Sequence, residues 1–274
     1  MVIDFTAPWL QLFAVPFLLG LAGHGLIIFF CGREGGSFQA SNGLLLGFIC
    51  AALLIVGLPA LPPAAYVDVL LWTSIALTVF GWLLDRPNGK DILPPVLAFL
   101  SMGLVLWALY PDIKSDGISD SLPKLVIAGG LSCLLFFRLY QESDYNQNAP
   151  YVICAIAFGL AGIAYVTPSP LLQNLALMTI SANLSYILLC RLGLPSPYNL
   201  APVLVMAATL VIVALGLQGL QSSLGAPLCL LTLSIWATPL SSWHRTNCGR
   251  PQTAYVFWLI APPVFSIIWA AVVL

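Results

Sequence analysis

Long apolar segments separated by short polar turns run through the whole chain. An α-helix needs about 20 mostly apolar residues to cross the roughly 30 Å hydrocarbon layer of a bilayer. Backbone polar groups find no water inside that layer, so segments of this length predict helices rather than a barrel. Ten such segments are predicted, at residues 8–31, 43–60, 65–84, 93–110, 124–141, 150–167, 170–190, 200–217, 224–241 and 254–273.

An arginine follows every second apolar segment, at intervals of 52 to 54 residues. After these turns the next helix begins with residues that cap helix N-termini, such as Ser41, Asn148 and Asn199. The pattern predicts an all-α integral membrane protein in which five helical hairpins of about 53 residues repeat in tandem. They form a single transmembrane domain over residues 1–274, with hairpins at 8–60, 65–110, 124–167, 170–220 and 224–274.

The composition agrees with a surface that faces lipid. Hydrophobic residues make up 60% of the chain, charged residues only 7%, and the mean hydropathy is +1.00. Soluble domains carry about 25% charged residues because their surfaces must face water. The formal net charge of −1 provides no basic surface for nucleic acid, so nucleic-acid partners are excluded and membrane lipids are the expected partners.

The basic residues predict an orientation in the membrane. Seven of the nine Lys and Arg residues lie in the turns after the odd-numbered helices, and only Lys114 and Lys124 lie on the other side. Positive residues in short loops stay cytoplasmic, which places both termini on the non-cytoplasmic side of a plasma or inner membrane. The turn arginines either determine this orientation alone or also hold a lipid phosphate or another anion; they are Arg33, Arg86, Arg138, Arg191 and Arg245.

Polar residues within the membrane are concentrated on the odd-numbered helices. We therefore expect the odd-numbered helices to form the inside of the bundle, and the even-numbered helices to face lipid. The candidate ligand-binding residues are His24, Thr78, Thr179, Ser181 and Asn183. Each also has a structural interpretation. His24 fits a neutral imidazole bonded to a neighbouring helix, and the cluster around Asn183 fits a hydrogen-bonded contact between helices.

The chain offers little for catalysis or for a cofactor. It contains two histidines, no HExxH motif and seven cysteines without CxxC spacing. We therefore expect no metal and no cofactor, and an enzyme is disfavoured. One interpretation is a permease for a small neutral or lipid-like solute, with its site among the odd-numbered helices. The alternative is a non-catalytic membrane subunit or assembly scaffold that binds other subunits or itself. A cavity that reaches His24 or Asn183 favours the permease, and closed packing there favours the subunit.

Overall fold

The computed structural model describes residues 10–60, 66–85, 93–110, 113–114, 117–143, 148–194, 197–241 and 251–274. It is 90% helical, with no strand among these residues. A π-helical turn, Leu10–Ala14, precedes the first helix, and a 3-10 segment, Thr232–Trp236, follows the ninth. The α-helices are α1 (Val15–Gln39), α2 (Asn42–Val56), α3 (Tyr66–Leu84), α4 (Leu93–Ala108), α5 (Ile118–Gln141), α6 (Ala149–Val166), α7 (Pro170–Arg191), α8 (Leu200–Leu220), α9 (Gly225–Leu231) and α10 (Pro251–Val273).

These helices begin and end close to the positions that the apolar pattern predicts. Within the described residues, eight helical stretches are long and apolar enough to span a membrane, whereas α2 and α4 are shorter. The all-α polytopic membrane architecture is thereby confirmed. Two predicted boundaries are wrong. Helix α1 continues to Gln39, so Arg33 lies within a helix and not in a turn. The segment predicted at 224–241 is not one continuous α-helix, because α9 ends at Leu231 and a 3-10 segment follows it.

The predicted local caps are also wrong. Ser41, Asn148 and Asn199 occupy the N-cap positions of α2, α6 and α8, but none of them makes a side-chain capping bond. At α8 the oxygen acceptor comes from another part of the chain. The carboxylate of Asp85, directly after α3, accepts a hydrogen bond from the Leu200 amide at 2.9 Å. A helix that begins against other protein can be capped by any neighbour, and spacing along the chain does not reveal which one.

The most buried helix is α8, which was expected to face lipid. In its most apolar stretch 94% of the residues are buried, compared with 28% for α1 and 28% for α5. The expectation that odd-numbered helices form the inside is therefore wrong. Apolar side chains are equally accommodated by lipid and by a protein interior, so the absence of polar residues does not indicate exposure to lipid. A helix that is apolar on every side is also what a fully buried position requires.

Glycines allow the closest helix contacts. A Cβ built on Gly43 of α2 would stand 2.2 Å from the His24 backbone nitrogen, and one on Gly47 would stand 2.4 Å from that of Gly20. The α1 and α2 backbones therefore touch through a small-xxx-small pair, as membrane helices often do. Gly81 of α3 makes a similar approach to α8, where its Cβ would lie 2.3 Å from the Ala201 Cα.

Helix packing does not simply follow the predicted hairpins. Helix α3 packs chiefly against α8, α4 against α5, and α6 against α7. The internal repeat consequently stays a prediction from the sequence.

Several connections do meet at one end of the bundle: Ser41 accepts a bond from the Asn199 amide at 3.3 Å, and the Ser143 hydroxyl donates to the Tyr198 carbonyl. We name this the arginine end, because α7 ends there with Arg191. The opposite end, where α5 begins near Lys124, is the lysine end.

Candidate functional site

The densest predicted polar cluster, on α7, is closed by internal hydrogen bonds. The Asn183 Oδ1 atom accepts a bond of 2.7 Å from the Tyr198 hydroxyl, and its Nδ2 atom donates to the Thr179 carbonyl at 2.8 Å. Asn183 has no exposed surface, and the Tyr198 ring packs edge-on against Tyr186 with centroids 4.9 Å apart. This arrangement joins α7 to the turn that precedes α8. Tyr198 was not singled out from the sequence, because it lies in a loop.

The predicted hydroxyl ligands are bonded to backbone. Thr78 donates to the Ser74 carbonyl at 2.7 Å and Thr179 to the Leu175 carbonyl at 2.9 Å, each one turn earlier in its own helix. Ser181 donates to the Phe13 carbonyl and fastens α7 to the π-helical turn. Such bonds satisfy hydroxyl donors inside a membrane protein without any ligand.

His24 is buried at the α1–α2 crossing, with 2% of its surface exposed. The backbone of Ala40 is a hydrogen-bond partner of the imidazole, while the Nε2 atom has no partner among the described residues. The structure therefore does not join His24, Thr78 and Asn183 into one site. Only Asn183 and Thr179 bond directly, and their role as ligands stays a prediction.

Two of the five turn arginines have described side chains, and their surroundings differ. Arg191 is exposed. Arg138 is largely buried and engaged by protein. The side chain of Arg33 and the whole of Arg86 and Arg245 lie outside the described residues. Binding of a lipid phosphate or another anion by the turn arginines therefore stays a prediction, and at Arg138 an anion would have to compete with partners of the chain itself.

Those partners form a compact polar cluster around Glu142, which is 2% exposed. Arg138 and Glu142 approach to 3.5 Å, and the guanidinium lies 4.7 Å from the centre of the Trp236 ring. Glu142 also accepts a 2.7 Å bond from the Thr238 hydroxyl. A buried carboxylate of this kind requires a charge partner and hydrogen bonds. The cluster thus joins the end of α5 to the 3-10 segment and the helical turn that follow α9.

Asp85 is a half-buried carboxylate at the arginine end. Its Oδ1 atom accepts a hydrogen bond from the Leu200 amide, and its Oδ2 atom has no hydrogen-bond partner within the described part of the chain. Burial raises the pKa of Asp85 to about 6, although hydrogen bonds from the Leu200 and Ala201 amides act in the opposite direction. The helix dipole of α8 and these amides favour the ionised form.

A cavity of about 260 Å³ lies between α5, α6, α8 and α9. Aliphatic side chains form most of its wall, including Leu131, Leu160 and Leu210. One wall residue, Ile127, is 59% exposed although it lies within the membrane-spanning part of α5. The wall of the cavity therefore reaches the outer surface of the bundle, within a stretch of α5 that is long and apolar enough to cross a membrane. The polar side chains that line it are Ser132, Gln218, Cys229 and Thr232, and none of the predicted ligand-binding residues does so.

The backbone changes from α-helix to 3-10 helix at this cavity. Leu231 and Thr232, at the junction of α9 and the 3-10 segment, both line it. Irregular backbone at membrane depth is tolerated where it borders protein or a cavity. Two hydroxyls contribute further bonds here. Thr232 donates to the Cys229 carbonyl at 2.7 Å, and Ser234 donates at 3.3 Å to the Leu259 carbonyl of α10, which Pro263 leaves without an amide partner in its own helix.

Fold and cavity together define a multi-pass α-helical membrane protein with a lateral apolar cavity. Among the described residues, no group of three or more His, Cys, Asp or Glu side chains is placed to hold a metal ion. No protein-family model and no curated protein matches this chain. The function must therefore be argued from the residues themselves.

Proposed function

We propose that this protein is a permease for lipid-like solutes and holds the hydrocarbon chain of its solute in the cavity between α5, α6, α8 and α9. The observation that carries the proposal is an apolar cavity whose wall reaches the outer surface of α5 at Ile127, within a membrane-spanning stretch. The membrane-spanning part of α5 starts at Ser121, and Ile127 lies roughly 9 Å further along the helix axis. Lipid chains are the medium at this depth, and an apolar cavity favours them over water.

The size of the cavity supports the same class of ligand. About 260 Å³ exceeds the 150 Å³ of an engineered apolar cavity that accepts benzene. An extended part of a hydrocarbon chain therefore fits. Ligand sites are typically apolar, with a few polar groups that fix orientation, and this wall has the same character.

Crosslinking to α8 tests the proposal, because α8 is almost entirely shielded from bulk lipid. The protein is reconstituted in vesicles with a phosphatidylcholine that carries a photoactivatable diazirine on one acyl chain. We expect crosslinks on α8 between Leu210 and Leu215, which only a chain inside the cavity reaches. Ala214→Trp takes up volume that the hydrocarbon chain would occupy, so it should lower this signal about tenfold, equivalent to about 1.4 kcal/mol of binding free energy.

Ala271→Trp is the matched control, because Ala271 is exposed on α10 and does not line the cavity. It should leave the α8 crosslinks unchanged. If α8 carries no crosslink in the unmodified protein, or if both tryptophan variants behave alike, the proposed function is wrong.

The alternative of a non-catalytic membrane subunit has one observation in its favour. The surroundings of His24 and Asn183 are packed shut, as expected of a scaffold, and the described cavity does not reach either residue. Gentle purification from the native membrane separates the two proposals. A permease should leave the membrane alone or as copies of itself, whereas a subunit should carry a stoichiometric partner.

A further inference from the structure

We propose that the cavity selects an anionic amphiphile, with its acidic headgroup bound by Lys124 and its uncharged linkage by Gln218. This inference rests on the proposed function, because the hydrocarbon chain must already occupy the cavity. It adds the chemical class of the headgroup and the two residues that recognise it.

Lys124 lies on the same stripe of α5 as the cavity wall. Ile127, Ala128 and Leu131 follow it by three, four and seven residues, and all three line the cavity. Residues at these spacings share one helix face. Because helical side chains tilt toward the helix N-terminus, Lys124 extends from the mouth toward the lysine end and the membrane interface.

Lys124 is exposed, and no described side chain forms an ion pair with it. The side chain of Asp120, one turn earlier on α5, lies outside the described residues. An exposed ammonium group beside a hydrocarbon-filled opening is suited to a phosphate or carboxylate attached to that hydrocarbon. Of the described basic side chains, Lys124 is the one on the cavity-lining face of its helix at the mouth.

Gln218 supplies the second contact. It lines the cavity from α8, two residues before that helix ends at Leu220, so it also lies near the interface at the lysine end. No described residue bonds its amide, and the other α8 residues that line the cavity are apolar. An unbonded amide in an apolar wall favours a ligand that carries an ester, amide or hydroxyl group at this depth. A lipid with its chain in the cavity places its ester linkage there.

The test compares two diazirine lipids that differ in headgroup, anionic phosphatidylglycerol and zwitterionic phosphatidylcholine, at equal concentrations in otherwise identical vesicles. Phosphatidylglycerol should label α8 more strongly. Lys124→Gln should lower its labelling about tenfold, the loss expected for a charge-assisted bond, and leave phosphatidylcholine labelling unchanged. Lys124→Arg should retain the preference. Gln218→Leu should weaken the labelling by both lipids, since both carry ester linkages.

Lys114→Gln is the control for the loss of one positive charge, because Lys114 is exposed and lies outside the α5 stripe. Its headgroup preference should equal that of the unmodified protein. If both lipids label α8 equally, or if Lys124→Gln leaves the preference intact, the headgroup assignment is overturned while the proposed function stands. If neither lipid labels α8, the proposed function itself fails.

Discussion

Asp85 is the clearest case of a single residue with an effect on a distant helix. It follows α3, yet its carboxylate caps the first amide of α8, 115 residues later. Removal from water opposes the charge, and the pKa of Asp85 rises from 3.8 to about 6. The native state therefore binds more protons than the unfolded state between these two values. The stability of the native state consequently falls as the pH rises through this window, and it is constant above the window.

Asp85→Asn should remove this pH dependence and keep an oxygen that accepts the Leu200 amide. As the pH rises from about 4 to 6.5, the variant should gain stability relative to the unmodified protein, by about 1–3 kcal/mol in total. Asp85→Ala, which lacks the acceptor, should lose about 1 kcal/mol at low pH, where the charge is absent. Unfolding by heat in detergent at several pH values measures both. A constant difference in stability between the unmodified protein and the Asp85→Asn variant across this range would contradict the prediction.

Glu142 and Asp85 differ in how far the sequence could reveal their partners. Arg138 and Glu142 are four residues apart, and this spacing places them side by side on any helix. Their ion pair could therefore be predicted once α5 was recognised. The contact between Asp85 and Leu200 depends on the packing of α3 against α8, and no local pattern contains that information.

At the scale of helices, the α1–α2 crossing offers a sharp test of close packing. Gly43→Ala places a methyl group where the His24 backbone nitrogen would be only 2.2 Å away, so the two helices must separate. We expect a loss of about 1–3 kcal/mol, the usual cost of overpacking. The measurement is the midpoint of unfolding as the fraction of sodium dodecyl sulfate is raised.

Gly25→Ala is the matched control on the facing helix, since nothing lies within 4 Å of its added Cβ. Alanine favours a helix over glycine by roughly 0.5–1 kcal/mol, so this variant should be neutral or slightly more stable. Equal effects of the two substitutions would show that helix propensity, and not contact between the backbones, governs this position.

Most helix boundaries could be predicted from the sequence, but the arrangement of the helices could not. Apolar length determines a span because the bilayer has a fixed thickness, and α3, α6 and α8 begin and end within a few residues of their predicted limits. Which helix is central depends on how side chains fit together, as the buried position of α8 illustrates. The cavity was missed for the same reason. Its wall is aliphatic, and the amide of Gln218 lies among residues that resemble any other part of a membrane helix.

For the whole molecule, the orientation in the membrane is still a prediction from the positive residues. In a background without the seven native cysteines, Leu192→Cys probes the exposed turn at the arginine end and Ser223→Cys probes the lysine end. A membrane-impermeant maleimide applied outside intact cells should label the second variant only, because positive loops stay cytoplasmic. Labelling of the Leu192→Cys variant from outside would reverse the orientation. The same result decides which leaflet the cavity opens into.

Helix α8 lies inside the bundle with almost nothing polar along its length to fix its height. The Thr209 hydroxyl donates to the Val205 carbonyl of its own helix at 2.8 Å, so this bond does not join α8 to another helix. Its polar contacts with other helices are at its N-terminus, to Asp85 and through the Asn199 amide to Ser41. Between these contacts and Leu220, apolar side chains packed on all sides keep α8 at its height. Because Gln218 lies at the far end of α8, the position of its amide at the opening depends on that packing as well as on the polar contacts at the arginine end.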